Sequence, residues 1–171
     1  MTVGVVVGNP KPRSRTLDVG SSVARAVMDA AGLADRDQLV VDLAELGPQL
    51  FDWSSAQVRE AVDAVSGCAL LVVASPTYKA TYTGLLKSFL DWFTTTGLAG
   101  VVTVPVMVGA GPTHALAVEV HLRPVLLELG ATLPTRGLYV PEADLLRVEE
   151  VIEGWLVDAE PSLRNSLTPV R

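Results

Sequence analysis

The 171-residue chain carries 13 bases against 19 acids, a net charge of −6 with an isoelectric point near 4.8, a balance that argues against nucleic acid as a general partner. It is 49% hydrophobic, with mean hydropathy +0.39, which suits one core of strands covered on both faces, while no apolar run reaches the ~20 residues of a membrane span. The single Cys68 excludes an internal disulfide and reads as a small buried hydrophobe, and Met1-Thr2 leads straight into an apolar run, so no leader and a cytoplasmic location are expected.

The first strand is predicted over 3–8, where Val3-Gly4-Val5-Val6-Val7 ends in a Gly8-Asn9-Pro10 turn. A helix over 15–32 places Leu17, Val19, Val23, Ala24, Val27 and Ala31 near helical spacing, and Gly32 stops it. A strand over 38–42 runs into an apolar, acidic stretch, Leu43–Trp53. A helix over 55–66 opens at Ser54 or Ser55, with Val58, Ala61, Val62 and Val65 on one face. A strand over 69–74, a helix over 83–96 and a strand over 102–109 follow. The next helix, 113–130, is expected to be capped by Thr113 and kinked near Val120 by Pro124. A strand over 136–140 and a helix over 142–159 close a single domain, 1–160. The tail 161–171 is expected to be poorly ordered or interface-bound.

Alternation of strand and helix over the whole length implies a parallel sheet with helices on both faces. Five strands point to an α/β, doubly wound, flavodoxin-like sheet of order 2-1-3-4-5. Ligands of such sheets sit outside the carboxyl ends of the strands, where the strand order reverses. The loops after strands one, three and four meet there, and all three have unusual compositions.

The first loop packs Lys11, Arg13 and Arg15 with Ser14 and Thr16 into a short span of an otherwise acidic chain. Hydroxyls, charged donors and the backbone N–H groups of a helix start suit a phosphate. The spacing is neither Walker A nor Gly-x-Gly-x-x-Gly, so a terminal phosphomonoester fits better than a wrapped dinucleotide. Solvated arginines and a merely capping Ser14 are the plain alternative. The second loop, Ser75-Pro76-Thr77-Tyr78-Lys79-Ala80-Thr81-Tyr82, offers tyrosine faces and donors for a flat heteroaromatic ring. Tyr82 reads equally as a core or interface residue, and Lys79 as a solvated one. In the third loop Gly109 and Gly111 let backbone approach a ligand, and His114 is either a donor to a ring edge or a plain helix-start residue. His121 and Glu128 read as helix-face or interface residues, and with His114 they form no convincing metal set. No nucleophile–base pair stands out, which points to chemistry carried by a bound cofactor.

These loops resemble those of the NADPH-dependent FMN reductase family over about residues 3–140. Gly8-Asn9-Pro10 through Ser14-Arg15-Thr16 is similar to the family's phosphate loop, with Asn9 where Ser is commoner. Residues 75–87 are similar to its flavin-ring loop and following helix. Tyr78-Lys79 and Leu122-Arg123-Pro124-Val125-Leu126 resemble the branch that supplies reduced FMN to two-component alkanesulfonate-type monooxygenases. The resemblance implies FMN and NAD(P)H as cofactors, hydride transfer from nicotinamide to flavin N5, and no side chain obliged to act as acid or base. Together, the reading of the three loops and the resemblance assign cofactor binding to Asn9, Lys11, Arg13, Ser14, Arg15, Thr16, Ser75, Pro76, Thr77, Tyr78, Lys79, Tyr82, Gly109, Gly111, Thr113 and His114. The resemblance implies a flavin-dependent monooxygenase as partner and a homodimer or homotetramer; Trp92, Phe93 and the high apolar fraction hint independently at a buried interface. It also implies a π-type insertion at the tyrosine-bearing helix start, with Tyr82 as candidate. An FMN-retaining quinone or azo reductase, and a flavodoxin-like electron carrier without NAD(P)H oxidation, are the competing readings.

Overall fold

Runs of Val, Leu and Ala form strands whose two faces are both covered. β1 (Val3–Val7), β3 (Leu70–Pro76) and β4 (Val102–Gly109) are buried at every position, as a parallel sheet between two helical layers requires. β2 (Gln38–Asp42) and β5 (Leu138–Pro141) are partly exposed. The structure, a computed structural model, describes residues 2–34, 36 and 38–167. Among them the strands form one sheet in the expected order, β2-β1-β3-β4-β5, with every neighbouring pair parallel.

One face of the sheet is covered by α1 (Arg15–Ala31) and α6 (Val148–Leu167), whose Val19, Val23, Val27, Ile152 and Leu163 pack on Val5, Val72 and Val104. α3 (Ala56–Ser66), α4 (Gly84–Leu90) and α5 (Arg123–Glu128) cover the other face, where Phe89, Leu86, Leu122 and Leu126 meet Leu71, Val73 and Met107. α1 starts at an extended Ser14 cap. It stops at Gly32, whose φ of +71° suits glycine and lets its N–H bond to Asp29 O at 3.1 Å. Cys68 is buried, with its sulfur where a side chain on Gly4 would stand, and burial pushes its thiol pKa up.

Several boundaries differ from expectation. The stretch after β2 folds into a short α2 (Leu43–Leu46) and a 3₁₀ turn, Gly47–Phe51. α4 stops at Leu90, well before residue 96, because the β-branched run Thr94-Thr95-Thr96 and Gly97 follow. Helix 113–130 is broken into a 3₁₀ turn, Pro112–His114, a π-helical turn, Val118–Leu122, and α5. Pro124 lacks an N–H, so the wider π turn just before it absorbs the defect that the sequence pointed to as a kink. The π turn therefore lies here and not at Tyr82, which precedes a regular α4 capped by Thr83. Thr113 caps nothing, since the 3₁₀ turn has no side-chain cap. The last helix continues through Pro161 to Leu167, because Ala159, Leu163 and Leu167 recur every four residues on the buried face. Up to Leu167 the expected tail is thus packed helix; residues 168–171 lie outside the described residues. Phe93 lies in the core, edge-on to Phe89 at 5.4 Å, and Trp92 donates to Leu50 O at 2.9 Å, so both are used within the chain.

Candidate functional site

At the carboxyl edge of the sheet, β1 runs into a loop held by its own side chains. Gly8 donates to Ala74 O at 2.8 Å, and its carbonyl accepts from the Thr83 hydroxyl. A side chain there would strike Leu86, so glycine lets the loop lie against α4. Asn9 Nδ2 donates to Thr16 Oγ1 at 3.0 Å, and Asn9 Oδ1 accepts from Lys11 N at 2.9 Å. The loop's departure from serine thus lets one amide tie both ends together while leaving the Thr16 hydroxyl hydrogen to point elsewhere. Arg13 adopts a left-handed φ of +49°, and its N–H donates to Asp42 Oδ2 at 3.0 Å. Asp42 is buried at the end of β2 and also accepts from Ala44 N, so it braces the loop and caps α2 together. Ser14 Oγ accepts from Leu17 N at 3.4 Å at the start of α1. Ser14, Arg15, Thr16 and Asp18 line the crevice, which puts the positive end of the α1 dipole at its edge.

The second loop turns tightly. Tyr78 and Thr81 exchange backbone hydrogen bonds of 2.8 and 3.2 Å, and Lys79 and Ala80 between them have φ of +51° and +69°. Two left-handed residues in a two-residue turn are the type I′ arrangement, normally filled by Asn and Gly. The turn leaves Tyr78 half exposed at the crevice. Ser75 is fully buried: its hydroxyl donates to Pro76 O at 2.9 Å and accepts from Thr83 N at 3.1 Å, so it fixes the loop from beneath.

A crevice of about 300 Å³ opens between these loops. Of the expected site residues it brings together Asn9, Lys11, Arg13, Ser14, Arg15, Thr16, Pro76 and Tyr78. Ser75, Thr77, Lys79, Tyr82, Gly109, Gly111, Thr113 and His114 do not line it. Tyr82 packs against the core, and Thr113 and His114 are exposed on the 3₁₀ turn. Gly109 is small for Tyr139, whose ring occupies the space a side chain there would need. The Tyr139 hydroxyl donates to Gly111 O at 2.7 Å, and burial pushes its pKa up, with the Glu142 carboxylate adding to the effect.

Three lining residues were missed by the sequence reading: Asp18, Val108 and Glu142. Val108 and Glu142 stand at the carboxyl ends of β4 and β5, so the switch-point rule could have found them; Asp18 lies one turn into α1. The crevice therefore sets Lys11, Arg13 and Arg15 against Asp18 and Glu142, with Pro76, Tyr78 and Val108 as an apolar wall. Arg15 already pairs with Glu142 at 3.3 Å. A phosphate suits the charged end, and a flat ring suits the wall.

The profile of the NADPH-dependent FMN reductase family matches residues 1–144. The chain is 31% identical over 167 residues to the NADH-dependent FMN reductase SfnF of Pseudomonas putida, a match covering 88% of this chain and 89% of that protein. It is 35% identical over 98 residues to an FMN reductase (NADPH) of Pseudomonas putida, where the match covers 57% of this chain but spans only 50% of the relative's length. A solved apo structure of an NADH:FMN oxidoreductase, EMOB, superposes with a TM-score of 0.84 at 32% identity, covering 99% of this chain and 91% of that one.

Proposed function

This chain belongs to the NADPH-dependent FMN reductase family, and from that premise we propose that it is an NAD(P)H-dependent FMN reductase whose flavin binds in the crevice beside α1. The observation that carries the reading is the crevice itself: a helix start, two hydroxyls and three cations at one end, an apolar wall at the other. Ser14, Thr16 and the N–H groups of the first turn of α1 would hold the phosphate, with Arg13, Lys11 and Arg15 around it. Pro76, Tyr78 and Val108 would lie against the ring system. When bound, FMN supplies the ring that accepts hydride from a reduced nicotinamide. The protein's own work is to bind, orient and exclude water, and no side chain in the crevice need exchange a proton. Lys79 and the Pro112–His114 turn are exposed in the loops after β3 and β4, and a second nucleotide would approach from that side.

The reading extends to a flavin-dependent monooxygenase as recipient of the reduced flavin and to a cytoplasmic location. Among the described residues no helix is long and apolar enough to cross a membrane. It also includes self-association. Leu116, Val120 and Leu127 follow one another at spacings of four and seven and are 71%, 56% and 50% exposed, a stripe that a second copy would cover. The test is consumption of NADPH and of NADH with and without FMN. Oxidation that requires FMN is expected; no FMN-dependent oxidation of either nucleotide overturns the reading.

A further inference from the structure

The three crevice cations are not equivalent. Among the described residues Lys11 and Arg13 make no ion pair, whereas Arg15 meets Glu142 at 3.3 Å. The partners come from distant parts of the fold. Arg15 is the first residue of α1, after β1; Glu142 follows β5 at the far edge of the sheet. Their side chains meet across the crevice at the carboxyl edge, where both residues line the opening. The pair is open to solvent, at 67% and 46% exposure, and ion pairs so exposed add little to fold stability. A structural need does not account for it.

We infer that Glu142 is an affinity-setting residue that occupies Arg15 and so weakens the hold of the crevice on the phosphate of its flavin, keeping that flavin exchangeable. The inference rests on the FMN reading above. A phosphomonoester carries close to two negative charges at neutral pH. To engage the Arg15 guanidinium it must displace the carboxylate or share the cation with it. Once bound, it also faces the fixed negative charge of Glu142 across a partly exposed gap. Both effects act on the phosphate alone, so a flavin without phosphate should not feel them. This suits an enzyme that releases its reduced flavin instead of keeping it.

The test is titration of full-length wild type, Glu142→Gln and Glu142→Lys with FMN and with riboflavin, read by quenching of flavin fluorescence. Glu142→Gln should lower the FMN dissociation constant roughly three- to tenfold, the scale of one unit charge at a partly exposed site, and Glu142→Lys should lower it further. Riboflavin affinity should not change in either variant. The gain from Glu142→Gln should shrink on an Arg15→Ala background to what direct repulsion alone supplies. Unchanged or weaker FMN binding in Glu142→Gln overturns the inference while leaving the FMN reading intact. So does an equal gain for riboflavin, or a gain of the same size without Arg15. Wild type that binds neither flavin overturns the FMN reading, and the inference falls with it.

Discussion

The loop after β1 and the loop after β4 border the same edge of the sheet but are built in opposite ways. Residues 8–14 are tied down by side chains: Asn9 to Thr16 and Lys11, Asp42 to Arg13, Thr83 to Gly8, Ser14 to Leu17. Among the described residues, no side chain of 110–117 makes a hydrogen bond; that stretch leans on one 3₁₀ turn and on Tyr139 donating to Gly111 O. The first loop is braced by side chains, and the second is an open rim. Pre-organisation belongs where a compact anion must be met by several donors together. An open rim belongs where something larger comes and goes.

The sharpest way to break this contrast is at its tightest contact. Gly8→Ala would place a Cβ 2.5 Å from Leu86 Cβ, and should destabilise the protein by about 2–3 kcal/mol through overpacking, seen as a lower thermal midpoint. Asp42→Ala leaves the N–H groups of Arg13 and Ala44 without their acceptor. It should cost about 2 kcal/mol and raise the FMN KM with little change in kcat, since it loosens the cradle and not the ring wall. Ser14→Ala removes the cap of α1 and should cost about 1 kcal/mol, again with weaker FMN dependence in steady-state assays. Ala80→Gly relieves a left-handed alanine at φ +69° and should add about 0.5–1 kcal/mol, the strain released less the extra chain entropy of glycine. On the open rim, Gly111→Ala meets nothing within 4 Å and should leave the midpoint within about 0.5 kcal/mol of wild type. Equal losses for Gly8→Ala and Gly111→Ala would erase the contrast.

The sheet was readable because continuous apolar runs such as Leu70–Ala74 and Val102–Val108 have few other stable placements. The first loop was readable because its cations stand out in an acidic chain. Less was legible where tertiary contacts decide. Ser75 looks like a ligand hydroxyl in sequence, yet Thr83 N and Pro76 O engage it. Gly109 looks like a ligand approach, yet Tyr139 takes the space. The defect in helix 113–130 is announced by Pro124, but the contacts that anchor the broken segment are not: Glu119 accepts from Gly137 N, and Arg123 donates to the carbonyls of Leu133 and Thr135. Pro161 reads as a helix end, but burial of Leu163 and Leu167 carries the helix past it.

The Asp42 carboxylate joins the last residue of β2 to the loop after β1, and β2 is paired on one side only, along β1. An outer strand of this kind separates from a sheet more readily than an inner one. Each such excursion would withdraw the acceptor that holds Arg13, so if the cradle takes the flavin as proposed, its capture and strand fraying are thermodynamically linked: whatever occupies the cradle also clamps the sheet's margin. Amide hydrogens of Leu39–Val41 should accordingly exchange with deuterium more slowly once FMN is added, a response far from any ring contact.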